Sequence, residues 1–170
     1  FAPAAAAAGA VVIDNSSHFR MDPTVPLVVP EVNGAAALEH RGIIANPNCS
    51  TIQMVLPLQA LHELAGLRRV IVSTYQSAAG AGQGGIDELL AGTGAALAGE
   101  PVPHKTFPRA LAFDAIPQIG VFEPSGFSNE EEKMLNETRK IMALPELPVA
   151  ATCVRVPVLR GHQESVTVDL

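Results

Sequence analysis

Two adjoining patterns of different period constrain this chain more than anything else in it. Ile52, Val55, Leu56, Leu58, Leu61, Leu64 and Leu67 recur at helical spacing, and the β-rich run from Arg69 to Tyr75 follows almost at once. The same alternation recurs elsewhere. The first residues read as helix, Gly9 to Asp14 as a short strand, and Asn15-Ser16-Ser17 as a polar turn. Leu27-Val28-Val29 and Gly42 to Ala45 are two more apolar runs of strand length. A helix begins just after Asn48 or Cys49, with a kink expected at Pro57, and another covers about Ile86 to Leu97. Gly99 to Phe127, rich in Pro and Phe, reads as a long ordered excursion. Ser128 and Glu131 form a capping box that opens a helix through about Met142. Two period-two runs, Ala151 to Val158 and Glu164 to Leu170, end the chain. Strands and helices alternate, so the fold class is α/β or α+β.

Composition narrows the function. With 170 residues, 48% of them hydrophobic, the chain can bury a real core. A net charge of −6, with Lys105, Arg109, Lys133, Arg139 and Lys140 scattered among acids and prolines, excludes a phosphate-tracking nucleic-acid surface. No apolar run approaches the roughly 20 residues that span a bilayer, so a soluble, cytoplasmic protein without a membrane partner is expected. The Ala-rich start lacks a basic leader region and runs straight into Val11-Val12-Ile13, so it reads as helix and connection rather than signal peptide. The missing initiator Met suggests a start inside a longer parent. Two cysteines, Cys49 and Cys153, are too few for a disulfide scaffold, and nothing suggests a metal site.

Cys49 is the sharpest chemical feature. It lies in Asn46-Pro47-Asn48-Cys49-Ser50-Thr51, where a turn meets a helix N-terminus, and amide dipoles there favour a thiolate. A buried structural thiol has no need of such polar neighbours. A catalytic thiol needs a proton-transfer partner, and His18, His40, His62, His104 and His162 are available. His162 stands out because it follows Gly161 in the tight link between the last two strand-like runs. His62 lies among leucines, and His40 and His104 have no visible task. Gly80, Gly82, Gly84 and Gly85 lie between a strand and a helix, where backbone amides can approach a phosphate or a nicotinamide. They do not form the complete dinucleotide fingerprint, and no Walker lysine follows.

Six blocks follow one another from one end of the chain to the other. They are Asp14-Asn15-Ser16-Ser17 with Arg20; Val29-Pro30-Glu31-Val32-Asn33; and Asn46 through Gln53. Ser73-Thr74-Tyr75-Gln76, Ala115 through Gly120, and Arg155-Val156-Pro157-Val158 with Gly161-His162 complete the set, and in this order they resemble aspartate-semialdehyde dehydrogenase. The resemblance implies reductive dephosphorylation of aspartyl 4-phosphate by NADPH to aspartate 4-semialdehyde, reversibly. It implies that Cys49 is the acylated nucleophile, His162 the general acid/base and Gln76 the group that orients the intermediate. Arg155 would hold the substrate carboxylate and Glu130 its ammonium group. Arg20, Lys133 and Asn48 would bind phosphate, and Ala79 and Gly80 would meet the cofactor. A homodimer or homotetramer is implied as well.

The sequence departs from the family at Ala79-Gly80-Ala81-Gly82, where the family usually carries Ser-Gly-Ala-Gly. On this resemblance, residues 1–48 are the end of a Rossmann-type NADP-binding domain whose pyrophosphate loop lies upstream. Residues 49–170 are then a glyceraldehyde-3-phosphate-dehydrogenase-like catalytic and dimerisation domain, with a mixed sheet and its C-terminal end missing. The isolated chain is expected to bind NADP poorly and to be inactive. Two alternatives compete with this. One is N-acetyl-glutamyl-phosphate reductase, whose nucleophile usually sits in Asn-Pro-Gly-Cys-Tyr and which Asn48 and Ser50 oppose. The other is a non-catalytic dimerisation fragment, opposed by the joint presence of Cys49, Gln76, Arg155 and His162.

Overall fold

The computed structural model describes residues 1–170. The chain forms two compact units: residues 1–71, 132–150 and 167–170 in the first, and residues 72–131 and 151–166 in the second. Mixed sheet and helices confirm the α/β expectation.

In the first unit, helix α1 (Ala2–Ala7) leads into strand β1 (Val12–Asp14), which pairs in parallel with β2 (Ile43–Ala45). Between them lie a short helix α2 (Pro30–Asn33) and a 3-10 segment, Gly34–Glu39. The sequence suggests a third strand at Leu27-Val28-Val29, but the structure gives only a bridge from Leu27 to Ala45. The reason is local: Pro26 and Pro30 bracket the run and supply no N–H, so only Val28 can donate to Ala45 before the chain turns into α2. The three residues are nevertheless buried. Parallel pairing of short, apolar strands is the arrangement of an α/β sheet rather than of a hairpin.

Helix α3 (Cys49–Ala65) follows immediately. Its buried side chains are Ser50, Thr51, Met54, Val55 and Leu58, whereas Leu56 and Leu64 are exposed. The expected leucine stripe therefore packs only over its first half, and Met54 fills a position the pattern did not mark. Past the helix, the N–H of Leu67 donates to Nδ1 of His62 at 3.1 Å, which gives that histidine the task of closing the helix end.

Strand β3 (Arg69–Gln76) lies between β4 (Val149–Arg155) and β5 (Gln163–Asp169) in a three-stranded sheet. Period-two burial runs through it. Val70, Val72, Thr74 and Gln76 are buried while Arg69, Ile71 and Tyr75 are exposed. On β4, Ala151, Cys153 and Arg155 take the buried positions. Gln76 and Arg155 are thus the last buried-face residues of their strands, so the alternation that places valines inside also points these two polar side chains inward. β4 stops at Arg155, short of the run expected to Val158, because Pro157 cannot continue a ladder.

Helix α4 (Gly82–Ala98) begins four residues before the expected start at Ile86. Gly82, Gly84 and Gly85 are therefore helical rather than loop. Packing overrides their poor propensity: a Cβ on Gly85 would meet Ala78 O at 2.5 Å and the Phe107 ring at 3.0 Å, so only glycine lets the helix sit this close. Ala78, Leu89, Phe107, Leu111 and Ile116 form the core beneath. From residue 99 to 128 there is no regular helix or strand, in agreement with the sequence. Helix α5 (Asn129–Ile141) opens with the expected capping box: Ser128 N donates to Glu131 Oε2 at 2.7 Å, and Glu131 N to Ser128 Oγ at 3.4 Å.

Candidate active site

The first unit carries Cys49, Asn48, Arg20 and Lys133. Cys49 is the first residue of α3 and is exposed. Asn48 is the N-cap, and its Oδ1 accepts from Ser50 N at 2.9 Å and Thr51 N at 3.3 Å. The N–H of Asn48 itself donates to Glu137 Oε2 at 2.6 Å, and Arg20 Nη1 reaches Glu137 Oε1 at 3.0 Å. Arg20 also donates through Nε to Asn46 O (2.9 Å) and through Nη2 to Asn15 O (3.0 Å). One buried ion pair thus ties the loop of Asn46 and Asn48 to α5, and fixes the helix start that presents Cys49. Burial pushes the Glu137 carboxyl up from its usual value, opposed by the Asn48 N–H and by Arg20. Glu137 was not marked by the sequence, because a glutamate in a polar helix looks like surface. Only the fold shows that it is 1% exposed. Lys140 braces the neighbouring loop, its Nζ donating to the carbonyls of Arg20, Asp22 and Val25.

The other cysteine differs in every respect. Cys153 is fully buried, and burial together with nearby carboxylates pushes its thiol up to about 12. A neutral, enclosed thiol is a packing group, so Cys49 is the nucleophile candidate of the pair.

The second unit brings together Gln76, Glu130, Arg155, His162, Ala79 and Gly80. Gln76 is held at both ends of its amide: Thr74 Oγ1 donates to Oε1 at 2.9 Å, and Nε2 donates to Glu130 Oε1 at 3.1 Å. Arg155 Nη1 donates to Ser77 O at 2.7 Å, and its guanidinium lies over the Phe107 ring, 5.8 Å from the centroid. That ring is steadied from outside. Glu88 accepts from the N–H groups of Lys105, Thr106 and Phe107, so although burial raises its pKa, these bonds hold it below the usual carboxylate value.

His162 Nδ1 accepts from Ser77 N at 3.1 Å and lies 3.2 Å from Ser77 Oγ. Burial first, and then the Arg155 charge, hold its pKa below the usual histidine value, with Glu130 opposing. A neutral imidazole at physiological pH results, suited to giving and taking a proton. Gly80 packs over both groups: a Cβ there would stand 2.6 Å from Arg155 Nη1 and 3.2 Å from His162 Nε2. The N–H of Ala79 is committed to Leu159 O and that of Gly80 to Ser77 O, so these amides are not the free phosphate donors that a glycine run suggests. What Gly80 offers is an exposed, side-chain-free surface beside His162. Ser77 escaped the sequence reading; its only signal was its place directly after Gln76.

Residues 58–170 match the semialdehyde dehydrogenase dimerisation domain, and residues 1–40 match the semialdehyde dehydrogenase NAD binding domain. The chain belongs to the semialdehyde dehydrogenase family. It is similar to the aspartate-semialdehyde dehydrogenase of Bacillus subtilis, with 53% identity over 99% of this chain and 51% of that protein. With the Aquifex aeolicus aspartate-semialdehyde dehydrogenase it shares 52% identity over 99% of this chain and 51% of that one. Among solved structures, aspartate semialdehyde dehydrogenase II of Vibrio cholerae complexed with ASA superposes with a TM-score of 0.97. The two are 53% identical over 99% of this chain and 51% of that one. The Candida albicans enzyme with NADP gives a TM-score of 0.65 at 26% identity, over 98% of this chain and 45% of that one. The chain spans about half the length of the curated relatives it matches. No helix is long and apolar enough to cross a membrane.

Proposed function

We propose that the intact protein is an aspartate-semialdehyde dehydrogenase of the cytoplasm, serving amino-acid biosynthesis as a dimer or tetramer with NADP as its cofactor. The observation that carries this is the exposed Cys49 at a helix start capped by Asn48 and braced by Glu137, in a chain about half identical to enzymes of that name. Residues 1–48 close the nucleotide domain and residues 49–170 form the catalytic and dimerisation part.

Cys49 attacks the acyl carbon of L-aspartyl 4-phosphate; a carbon–sulfur bond forms, the carbon–oxygen bond to phosphate breaks, and phosphate leaves. NADPH, when bound, supplies hydride to the resulting thioester. His162 delivers a proton to the substrate oxygen and takes it back as the thiohemiacetal collapses, which breaks the carbon–sulfur bond, releases aldehyde and regenerates the Cys49 thiolate. Gln76, already aligned by Thr74, orients the acyl group. Arg155 takes the α-carboxylate as a bidentate partner and Glu130 the ammonium group. Lys133 and Asn48 receive phosphate, with the remaining N–H groups of Arg20. Gly80, exposed and without a side chain, and its neighbour Ala79 would meet the nicotinamide beside His162.

The test is phosphate-dependent reduction of NADP by aspartate 4-semialdehyde in the intact protein, with Cys49→Ser and N-acetylglutamate semialdehyde as controls. Activity with the first aldehyde alone, lost in the variant, is expected. Preference for the acetylated aldehyde, or full activity without Cys49, would overturn the assignment.

A further inference from the structure

Ser77 joins the two most important polar side chains of the second unit through a single residue. Its main-chain N–H donates to His162 Nδ1 at 3.1 Å, while its carbonyl accepts from Arg155 Nη1 at 2.7 Å. We propose that Ser77 is a positioning residue whose main-chain N–H fixes His162 in the Nε2-protonated tautomer and whose carbonyl locks Arg155 in register with it. This rests on the reading of His162 as acid/base and Arg155 as carboxylate anchor.

The physical case is short. A backbone N–H can only donate, so the nitrogen it meets must offer a lone pair. The single proton of the neutral ring is therefore on Nε2. Nε2 lies 3.2 Å from where a Cβ on Gly80 would stand, so it packs against the side-chain-free backbone to which the proposed function assigns the nicotinamide. The Ser77 hydroxyl, 3.2 Å from Nδ1, can donate to the same lone pair but is not required for the tautomer. Ser77 is fully buried and is itself held from outside: the flanking Gln76 O accepts from Val156 N, and Ala78 N donates to Val158 O. The peptide therefore cannot rotate to follow a mobile ring. Its rigidity keeps the proton donor and the carboxylate anchor at a fixed separation, the condition under which a positioned acid contributes about 100-fold or more.

The backbone offers a test. Ser77 has φ −69°, within proline's range, so Ser77→Pro removes the N–H, and its Cδ, standing where the hydrogen was, drives the ring off Nδ1 contact. Ser77→Ala removes only the hydroxyl. Nitrogen-15 NMR of the His162 ring, assigned with His162→Asn, reads the tautomer directly in the intact protein. The Nε2–H form is expected in the parent and in Ser77→Ala, and is lost in Ser77→Pro. Alongside, kcat/KM should fall by about 100-fold or more in Ser77→Pro and by less than about tenfold in Ser77→Ala. An Nδ1–H tautomer in the parent overturns the proposal outright, with or without a folded proline variant. A tautomer change in Ser77→Ala overturns it too, because the hydroxyl would then be the determinant. An intact protein that shows the Nε2–H form but no turnover of aspartate semialdehyde would sink the functional reading and leave the Ser77 assignment standing.

Discussion

Replacing Arg20 with Met isolates the brace beneath the Cys49 helix. Arg20 is 8% exposed and its partner Glu137 is 1% exposed, so the variant leaves a buried carboxylate held by the Asn48 N–H and the charge of Lys133. Breaking a buried pair on one side costs about 3–5 kcal/mol. The protein can limit that loss by protonating Glu137. From the ordinary value of 4.5 to pH 7, at about 1.36 kcal/mol per unit, this costs at most about 3.4 kcal/mol. Burial already pushes Glu137 upward, so the true figure lies below that ceiling, and a loss of about 3 kcal/mol at pH 7 is expected. The sign of the pH dependence follows. Without Arg20 the folded-state pKa rises further above the unfolded value, so the folded form holds a proton that the unfolded form has released. Stability is therefore fully present below the unfolded pKa and is lost as pH rises through the folded one. Urea unfolding at pH 5, 6 and 7 should show the penalty of Arg20→Met growing with pH by up to about 1.4 kcal/mol per unit. A penalty below about 1 kcal/mol, the range of exposed pairs, or one equal at pH 5 and pH 7, would refute the buried-brace argument.

Two further outcomes are expected. Iodoacetamide on the native protein should alkylate Cys49 and spare Cys153, which is fully buried with its thiol raised to about 12. Peptide mapping by mass spectrometry checks this, and comparable labelling of both would contradict it. Gly80→Ala places a methyl 2.6 Å from Arg155 Nη1 and 3.1 Å from His162 Cε1, so kcat/KM in the intact protein should fall about 100-fold. Thermal stability should drop by no more than about 1–3 kcal/mol, and parental kinetics would show that the two groups have more room than the packing allows.

Much was legible in the residues alone, wherever the determining interaction is local. The capping box at Ser128 and Glu131 needs only its own four residues, and the start of α3 at Cys49 follows from Asn48 beside it. The β-rich run from Arg69 and the period-two run from Ala151 were legible as strands, and alternation within each puts Val70, Val72 and Gln76 on one face of β3 and Ala151, Cys153 and Arg155 on one face of β4. The α/β class and the blocks around Cys49 and His162 belong to the same kind of signal.

Tertiary structure decided what depends on partners far along the chain. The glycines of 82–85 look like loop until Ala78 and Phe107 are seen against Gly85, where the absence of a Cβ is what permits a helix. Leu64 fits a helical stripe, yet the fold leaves it exposed, because periodicity states which residues share a face and not how far a neighbour extends over it. Glu137 is an ordinary helix glutamate in sequence and a buried carboxylate in the fold, 117 residues from Arg20. Ser77 carries no signal in the sequence beyond following Gln76, and only the returns of β4 and of the His162 link give its N–H and C=O their partners. Sequence pattern determined most of the elements and singled out the candidate groups. Long-range packing and hydrogen bonding determined how each of those groups is held, since both depend on residues that local pattern cannot see.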